Sequence, residues 1–411
     1  MRIAVVGAGV AGIRSALLLE EQGVNVTLFE ANNQVGGRVH TVTAGKAVFD
    51  AGGEWIDADH YRTIDLFEKH GIETEFSEDA DYTLHFRGES CNSTNFWHDA
   101  EDDLERVESA AEAIAEELDL RPWRNLAHSE LDKKTVADFL DEHCKTERGK
   151  WWCNSFFRSD EGEDLDKISL LGWLCGYAHY LDRDDNDFSA IRAKNGMGVA
   201  IQKISESLKS EPRLKHTLRG IYQDTDGVSL QFENGKEQFD KVILTLPPPI
   251  LSHLGFKKAN SYQMGRVTKI VWEFDKSFWD VGYHMTDSRL QQVWVGGRNG
   301  SPVLTAYICG NDTEFWRSRP NVIEASLDEL EKMLPDAREH FRRAWVFDWT
   351  QNHLAHGGFS HIAPGCSFDG AETVSEPIGN VHFAGEHTAT WIGFIEGALE
   401  SAERAVREVI K

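Results

Sequence analysis

Three glycines set the first chemistry open to this sequence. Gly7, Gly9 and Gly12 stand in the order Gly-Ala-Gly-Val-Ala-Gly, straight after the apolar run that opens the chain. Between a strand and a helix this spacing makes a dinucleotide fingerprint. Gly7 permits the tight turn, Gly9 lets the backbone approach a pyrophosphate, and Gly12 lets helix and strand pack closely. The helix start then offers N–H groups and the positive end of its dipole to the phosphates. Glu30 follows at about twenty residues, where a carboxylate accepts hydrogen bonds from a ribose diol. NAD and FAD both use this unit, so these residues alone leave the cofactor open.

The next segment discriminates. Gln34-Val35-Gly36-Gly37-Arg38 sets paired glycines and a cation just after the ribose-binding acid. Gly36 and Gly37 are expected to expose backbone amides, and Arg38 to add positive charge for the pyrophosphate. This resembles the second phosphate motif of the two-dinucleotide-domain flavoproteins. Asp50-Ala51-Gly52-Gly53-Glu54-Trp55 looks like the acid-glycine-glycine segment beside a flavin ring. Near the other end, Phe383-Ala384-Gly385-Glu386-His387-Thr388 closely resembles an FAD-binding signature. Taken together the sequence resembles the flavin-containing amine oxidase family, which spans monoamine, polyamine and L-amino acid oxidases. The resemblance runs over nearly the whole chain and is weakest over residues 75–165.

The resemblance implies roles for particular residues. FAD is held at its dinucleotide end by Gly7, Gly9, Gly12, Glu30, Gly37 and Arg38, with the backbone at Leu218 meeting adenine. Gly53, Glu54 and Trp55 lie beside the ring. Gly385 and Glu386 hold the sugar-phosphate chain. Gly393 and Phe394 open the last helix, whose first amides face the flavin's pyrimidine carbonyl, where negative charge develops on reduction. Lys269, in Gly265-Arg266-Val267-Thr268-Lys269 ahead of Phe278-Trp279, matches the lysine that holds a water near flavin N5. Phe359 and Phe394 match the aromatic pair that presents an amine to the flavin, and Trp349 matches a ring packed on the isoalloxazine. Lys269, Phe359, Phe394 and Trp349 are therefore the candidate catalytic residues. Two departures stand out. Monoamine oxidases carry tyrosine at both phenylalanine positions, so here the walls remain and the hydroxyl dipoles are lost. Those enzymes also attach FAD through a cysteine at the position of Gly358, and Cys366 is displaced by several residues, so non-covalent FAD is expected.

The elements that must position these groups follow from the apolar pattern. Residues 2–6 read as a strand, 11–22 as a helix ended by Gly23, and 24–29 as a second strand. Helices are expected over 99–120, 136–143 and 167–179, and a polar loop over 182–187. A helix over 198–208 precedes strands at 214–222 and 228–232, joined at Asp226-Gly227. The strand 241–246 is ended by Pro247, Pro248 and Pro249. Strands follow at 265–274 and 302–309, a helix at 322–334, a strand at 381–383 and a helix from 397. The expected fold is α/β. An FAD-binding Rossmann-like domain of the two-dinucleotide type is joined to a substrate domain of mixed β-sheet and helices. Residues 1–75, 190–255 and 375–411 make the discontinuous FAD domain, and 76–189 and 256–374 the substrate domain. The chain's 411 residues exceed one ordinary core.

Charge and composition narrow the partners. Sixty-eight acidic residues against 43 basic ones give a formal net charge of -25. That charge repels phosphate backbones and anionic lipid, which argues against nucleic acid and is compatible with cationic substrates such as amines. No run approaches the ~20 apolar residues that span a bilayer, no signal peptide opens the chain and no C-terminal membrane tail is expected, so no membrane partner is anticipated. The six cysteines show no metal-ligand spacing and read as free thiols in a reducing, cytoplasmic setting. No metal is expected, and His60, His361 and His387 are the histidines that could line the site.

The activity implied by the resemblance is oxidation of a primary or secondary amine. A hydride equivalent leaves the carbon next to nitrogen, water hydrolyses the imine, and O2 or another acceptor reoxidises the flavin. An acidic pocket at Glu54 or Asp57 favours polyamines. An L-amino acid oxidase is an alternative that needs a cation for the substrate carboxylate, for which Arg87 is a candidate. A desaturase or protoporphyrinogen-oxidase-like enzyme shares the glycine motifs but not the lysine-bearing strand. A non-catalytic flavin-binding or redox-sensing protein is the remaining alternative.

Overall fold

A computed structural model of the protein describes residues 1–76, 81–181 and 191–411. The apolar opening run forms the strand Arg2–Val6, which sits inside a four-stranded parallel sheet. Its neighbours are Asn25–Phe29 on one side and Lys241–Leu244 on the other, with Val381–Phe383 beyond. Alternate side chains serve two cores, as strand geometry requires. Ile3 and Val5 face the helices Val10–Glu21, Met197–Ser205 and Ile395–Val409. Ala4 and Val6 face a three-stranded antiparallel sheet of Leu218–Asp224, Gly227–Phe232 and Gly235–Phe239. A sheet buried on both faces explains the near-continuous apolar runs.

A second, seven-stranded sheet runs in the order Phe341–Asp348, Val267–Phe274, Val303–Cys309, Gln292–Val295, Tyr283–Thr286, Tyr82–Phe86 and Glu89–Asn92. Its pairs are antiparallel except Tyr283–Thr286 with Tyr82–Phe86. Against its Leu84 and Met285 end pack the helices His98–Ala115, Val136–His143, Glu147–Glu161 and Leu170–Tyr177, in an aromatic-rich core that includes Trp152, Phe157 and Trp173.

Several boundaries differ from the sequence reading. The helix expected over 99–120 stops at Ala115, because Asp119 instead closes a polar turn: its N–H donates to Asn125 Oδ1 (2.9 Å) and its carboxylate accepts from Arg121 N (2.9 Å). The helix expected over 167–179 begins at Leu170, where Ser169 caps it by accepting from Gly172 N (3.2 Å). Residues 214–217 lie outside the strand expected at 214–222, with Lys215 at φ +58° and His216 N donating to Glu30 O. The polar loop expected over 182–187 lies outside the described residues.

Candidate active site

A cavity of about 1330 Å³ lies between the parallel sheet and the seven-stranded sheet. It exceeds the ~300–1,000 Å³ of an ordinary small-ligand pocket. Every residue given a catalytic or cofactor-binding role from the sequence lines it except Gly12. Gly12 serves by close approach: a Cβ there would fall 1.8 Å from Gly7 O.

The helices Val10–Glu21 and Ile395–Val409 both begin without a side-chain cap, and Val10, Ala11 and Ile395 line the cavity. Their first amides are therefore available to a ligand. Glu30 is fixed by donors on both oxygens, Ala8 N to Oε2 (2.7 Å) and Asn32 N to Oε1 (2.8 Å). The expectation that Gly36 and Gly37 both present open amides needs correction. Gly36 N donates to Ala8 O (2.8 Å), and Gly36 earns its place through φ +116°, where a Cβ would meet Val39 O at 2.5 Å.

Arg38 and Glu386 tie the two ends of the chain. Arg38 Nη1 donates to Glu386 Oε1 (2.7 Å) and to Gly358 O (3.1 Å). Glu386 also accepts from Ser360 N and Oγ (3.2 and 2.8 Å) and from Gly393 N (2.8 Å). Burial pushes this carboxyl up, but Arg38, the neighbouring His387 and these hydrogen bonds outweigh it and hold it below the usual carboxylate range. Gly385 N is taken by Ser401 Oγ and Gly53 N by Arg38 O.

At the other end, the strand Val267–Phe274 aims Lys269 into the cavity wall. Its ammonium donates to Glu54 Oε2 (2.6 Å), Gly52 O (2.8 Å) and Asp50 O (3.2 Å). An ammonium has three protons, and protein oxygens accept all of them. Trp349 is buried, with its Nε1 donating to Ala51 O (2.8 Å). The Phe359 ring lies against Gly162 and Gly393: a Cβ on either glycine would come within 2.7 or 3.1 Å of it. Phe394 packs edge-on against His60 and Trp391, at centroid separations of 5.3 and 5.7 Å. Trp55 lies under the Arg192 guanidinium, 4.3 Å from the ring centroid.

The structure adds residues that sequence reasoning missed. Tyr82, Trp152, Tyr283, Trp294 and Tyr307 supply an aromatic wall. They come from helix and strand segments in which an aromatic residue reads simply as core. Asp57, offered by the sequence as part of an acidic pocket, lines the cavity, and so does Asp160, which the sequence reading missed. Asp160, at the end of the helix Glu147–Glu161, is open to the cavity and pairs with no cation among the described residues. Burial, with Glu161 and Asp57 repelling it, pushes its carboxyl up to about 8. Asp57, Asp59 and His60 bring ligand-type atoms within 4.8 Å of one another in the turn before the helix Tyr61–Lys69, a grouping the sequence reading did not single out.

Other candidates lie elsewhere. Arg87 sits on the surface, with its guanidinium paired to Glu147 and its N–H donating to Asp287. It cannot anchor a substrate carboxylate in this cavity. His60, His361 and His387 are buried behind the lining rather than in it. All six cysteines are free thiols, and none lines the cavity. Two uncapped helix starts, glycine backbone at the turn and the absence of a lining thiol suit FAD held without a covalent bond. Among the described residues, no helix is long and apolar enough to cross a membrane.

Comparison with known proteins agrees with this geometry. Residues 10–410 match the family described as flavin containing amine oxidoreductase. The chain is similar to amine oxidase [flavin-containing] A of Sus scrofa, 23% identical over 99% of this chain and 84% of that one. It is likewise similar to the probable flavin-containing monoamine oxidase A of Dictyostelium discoideum, 22% identical over 99% of this chain and 97% of that one. The fold is shared with cyclohexylamine oxidase from Brevibacterium oxydans IH-35A (TM-score 0.89, 22% identity, 99% and 98% of the two chains). It is shared too with wild-type putrescine oxidase bound to putrescine (TM-score 0.91, 20% identity, 100% and 99% covered).

Proposed function

The chain belongs to the flavin-containing amine oxidoreductase family and is an FAD-dependent enzyme of amine oxidation, and we propose that its substrate carries a second cationic group, as a short diamine or polyamine does. The observation that carries this reading is Asp160, a carboxylate open to an aromatic-walled cavity with no cation beside it among the described residues. A carboxyl enclosed by the cavity walls beside Glu161 and Asp57 is held toward its protonated form until a cation takes the proton's place. The fold shared with putrescine oxidase adds support.

Bound FAD would supply the acceptor for the hydride equivalent leaving the carbon next to nitrogen. The protein's part is to bind, orient and exclude water. In our reading Gly7, Gly9, Glu30, Gly37, Arg38 and Leu218 hold the dinucleotide, with Gly12 behind them packing helix to strand. Glu386 and Gly385 hold the sugar-phosphate chain, and Gly53, Glu54, Trp55 and Gly393 lie beside the ring. Phe359, Phe394 and Trp349 form apolar walls that exclude water from the reacting carbon, and the Tyr82 to Tyr307 wall holds the substrate's aliphatic stem. Asp160 fixes the distal ammonium so that the other amine is presented neutral. Lys269, against Glu54 and 5.4 Å from the Trp294 ring centroid, is the cation that favours reoxidation by O2 or another acceptor. Residues 1–75, 190–255 and 375–411 act as the FAD unit, and 76–189 with 256–374 as the substrate unit. The core shared by residues 3–67, 191–204 and 384–409 supports that division. The free thiols support a cytoplasmic setting.

The test is anaerobic mixing of the yellow protein with matched monoamines, diamines, polyamines and amino acids, following flavin bleaching. Diamines are expected to bleach it at lower concentration than monoamines of equal length. Bleaching by none of the panel would overturn the amine reading, and equal concentrations for mono- and diamines would overturn the dication reading.

A further inference from the structure

The surroundings of Lys269 reach further than the lysine itself. Glu54, its closest partner, is 2% exposed and is held from its other oxygen. Arg298 Nη2 and Trp294 Nε1 donate to Glu54 Oε1 (2.9 and 3.1 Å), and Arg192 Nη1 lies 3.6 Å away. Arg298 is fully buried and its Nε donates to Asp50 Oδ2 (3.2 Å). Asp50 is fixed in turn by Thr41 Oγ1 and Met197 N on Oδ1 (2.5 and 2.9 Å). The Arg298 turn is bolted to the strand Ala47–Asp50: Arg298 N donates to Val48 O (2.8 Å), Val48 N to Ser301 Oγ (3.2 Å), and Ser301 Oγ to Lys46 O (2.8 Å).

We propose that Arg298 is a positioning residue that, by bridging Asp50 and Glu54, locks the Lys269 ammonium in place as a fixed cation in the cavity wall. This rests on the reading that sets Lys269 beside the flavin. Burial alone would push Glu54 up; Lys269, Arg298 and Arg192 reverse this and bring it down to about 2. Asp50 stays raised by burial and by Glu54, with Arg298 opposing. Without Arg298 two buried carboxylates face each other across a gap, which removes the reason for Glu54 to keep its orientation. Lys269 then loses its shortest contact. With Arg298 in place no proton of the ammonium is left to swing, so its effect on the ring is that of a stationary positive charge. When reduced flavin passes two electrons and two protons to dioxygen, giving hydrogen peroxide, negative charge develops on oxygen, and a cation already in position stabilises it without reorganisation.

The test uses holoenzyme reduced chemically rather than by an amine, so its outcome does not depend on which amine, or whether any amine, is the substrate. Reoxidation by O2 and the flavin midpoint potential are measured for wild type, Arg298→Met, Lys269→Met and the double variant. Arg298→Met is expected to slow reoxidation about tenfold or more and to lower the potential. In the Lys269→Met background the same substitution should change the rate by less than about twofold. Equal fold-changes in both backgrounds would show that Arg298 does not act through Lys269 and would overturn the proposal. Should the methionine variant fail to fold, Arg298→Lys serves. It keeps the charge but reaches only one of the two carboxylates, so it should reoxidise slowly, and a wild-type rate would equally overturn the bridging role.

Discussion

Replacing Asp160 with asparagine keeps its shape and removes its charge. A carboxylate and an ammonium about 4 Å apart attract by about 4 kcal/mol at an effective dielectric near 20. The open cavity admits water, which cuts this toward half. Desolvation by the cavity walls, with Glu161 and Asp57 repelling it, pushes the carboxyl up to about 8. A raised carboxyl must first give up its proton, which takes a further part of that gain near neutral pH. The net is about 1–3 kcal/mol, or roughly 5- to 150-fold in the apparent KM for a diamine. The sign with pH follows. This carboxyl is raised, so it is protonated below about 8 and ionised above; binding a dication expels its proton. The wild-type preference for a diamine over the equal-length monoamine should therefore grow as pH rises toward about 8 and then level off. Asp160→Asn should flatten that profile. The assay is kcat/KM for the matched pair from about pH 6.5 to 9, taken as a ratio so that deprotonation of the substrate's reacting amine cancels. A variant that weakens both amines equally, or that keeps the pH-dependent preference, would refute the reasoning.

Gly12→Ala should cost about 3 kcal/mol or more, because its methyl would overlap Gly7 O in a rigid turn; denaturant unfolding and flavin content report it. Glu386→Gln should weaken FAD binding by roughly 10- to 100-fold, since a charge-assisted pair to Arg38 becomes a neutral one; titration of the apoprotein with FAD measures this. Acid precipitation should release all yellow colour into the supernatant, as no thiol lines the cavity; colour left on the pellet would contradict non-covalent binding.

The dinucleotide end of the site was legible because its demands are local and fall on the backbone. Gly12 and Gly36 are set by close approach and positive φ, which few other residues meet. Lys269, Phe359 and Phe394 were reached through resemblance, since on a strand or a helix start such residues have no distinguishing neighbours. Arg298 was not legible. It sits in a glycine-rich turn that reads as surface, and the carboxylate it grips is 244 residues away in the chain. Asp160 was hidden for a related reason: it ends a helix, where an acid ordinarily faces solvent, and only the seven-stranded sheet closing over it makes a chamber. Arg87 shows the reverse error, a cation in a hairpin that the fold spends on a surface pair. The helix expected over 99–120 stops at Ala115, where the Asp119 side chain beyond it offers the backbone a competing turn that periodicity does not reveal.

Arg38 and Glu386 meet across 348 residues of sequence. At about 5–20 residues per second, the ribosome takes roughly 20–70 s to make the second after the first. The glycine turn thus emerges well ahead of Glu386, yet the groove it belongs to closes only once the strand Val381–Phe383 and the helix Ile395–Val409 have left the exit tunnel. Cofactor loading therefore waits on that late segment, and a chain truncated ahead of Val381 would lack one wall of the groove and never turn yellow.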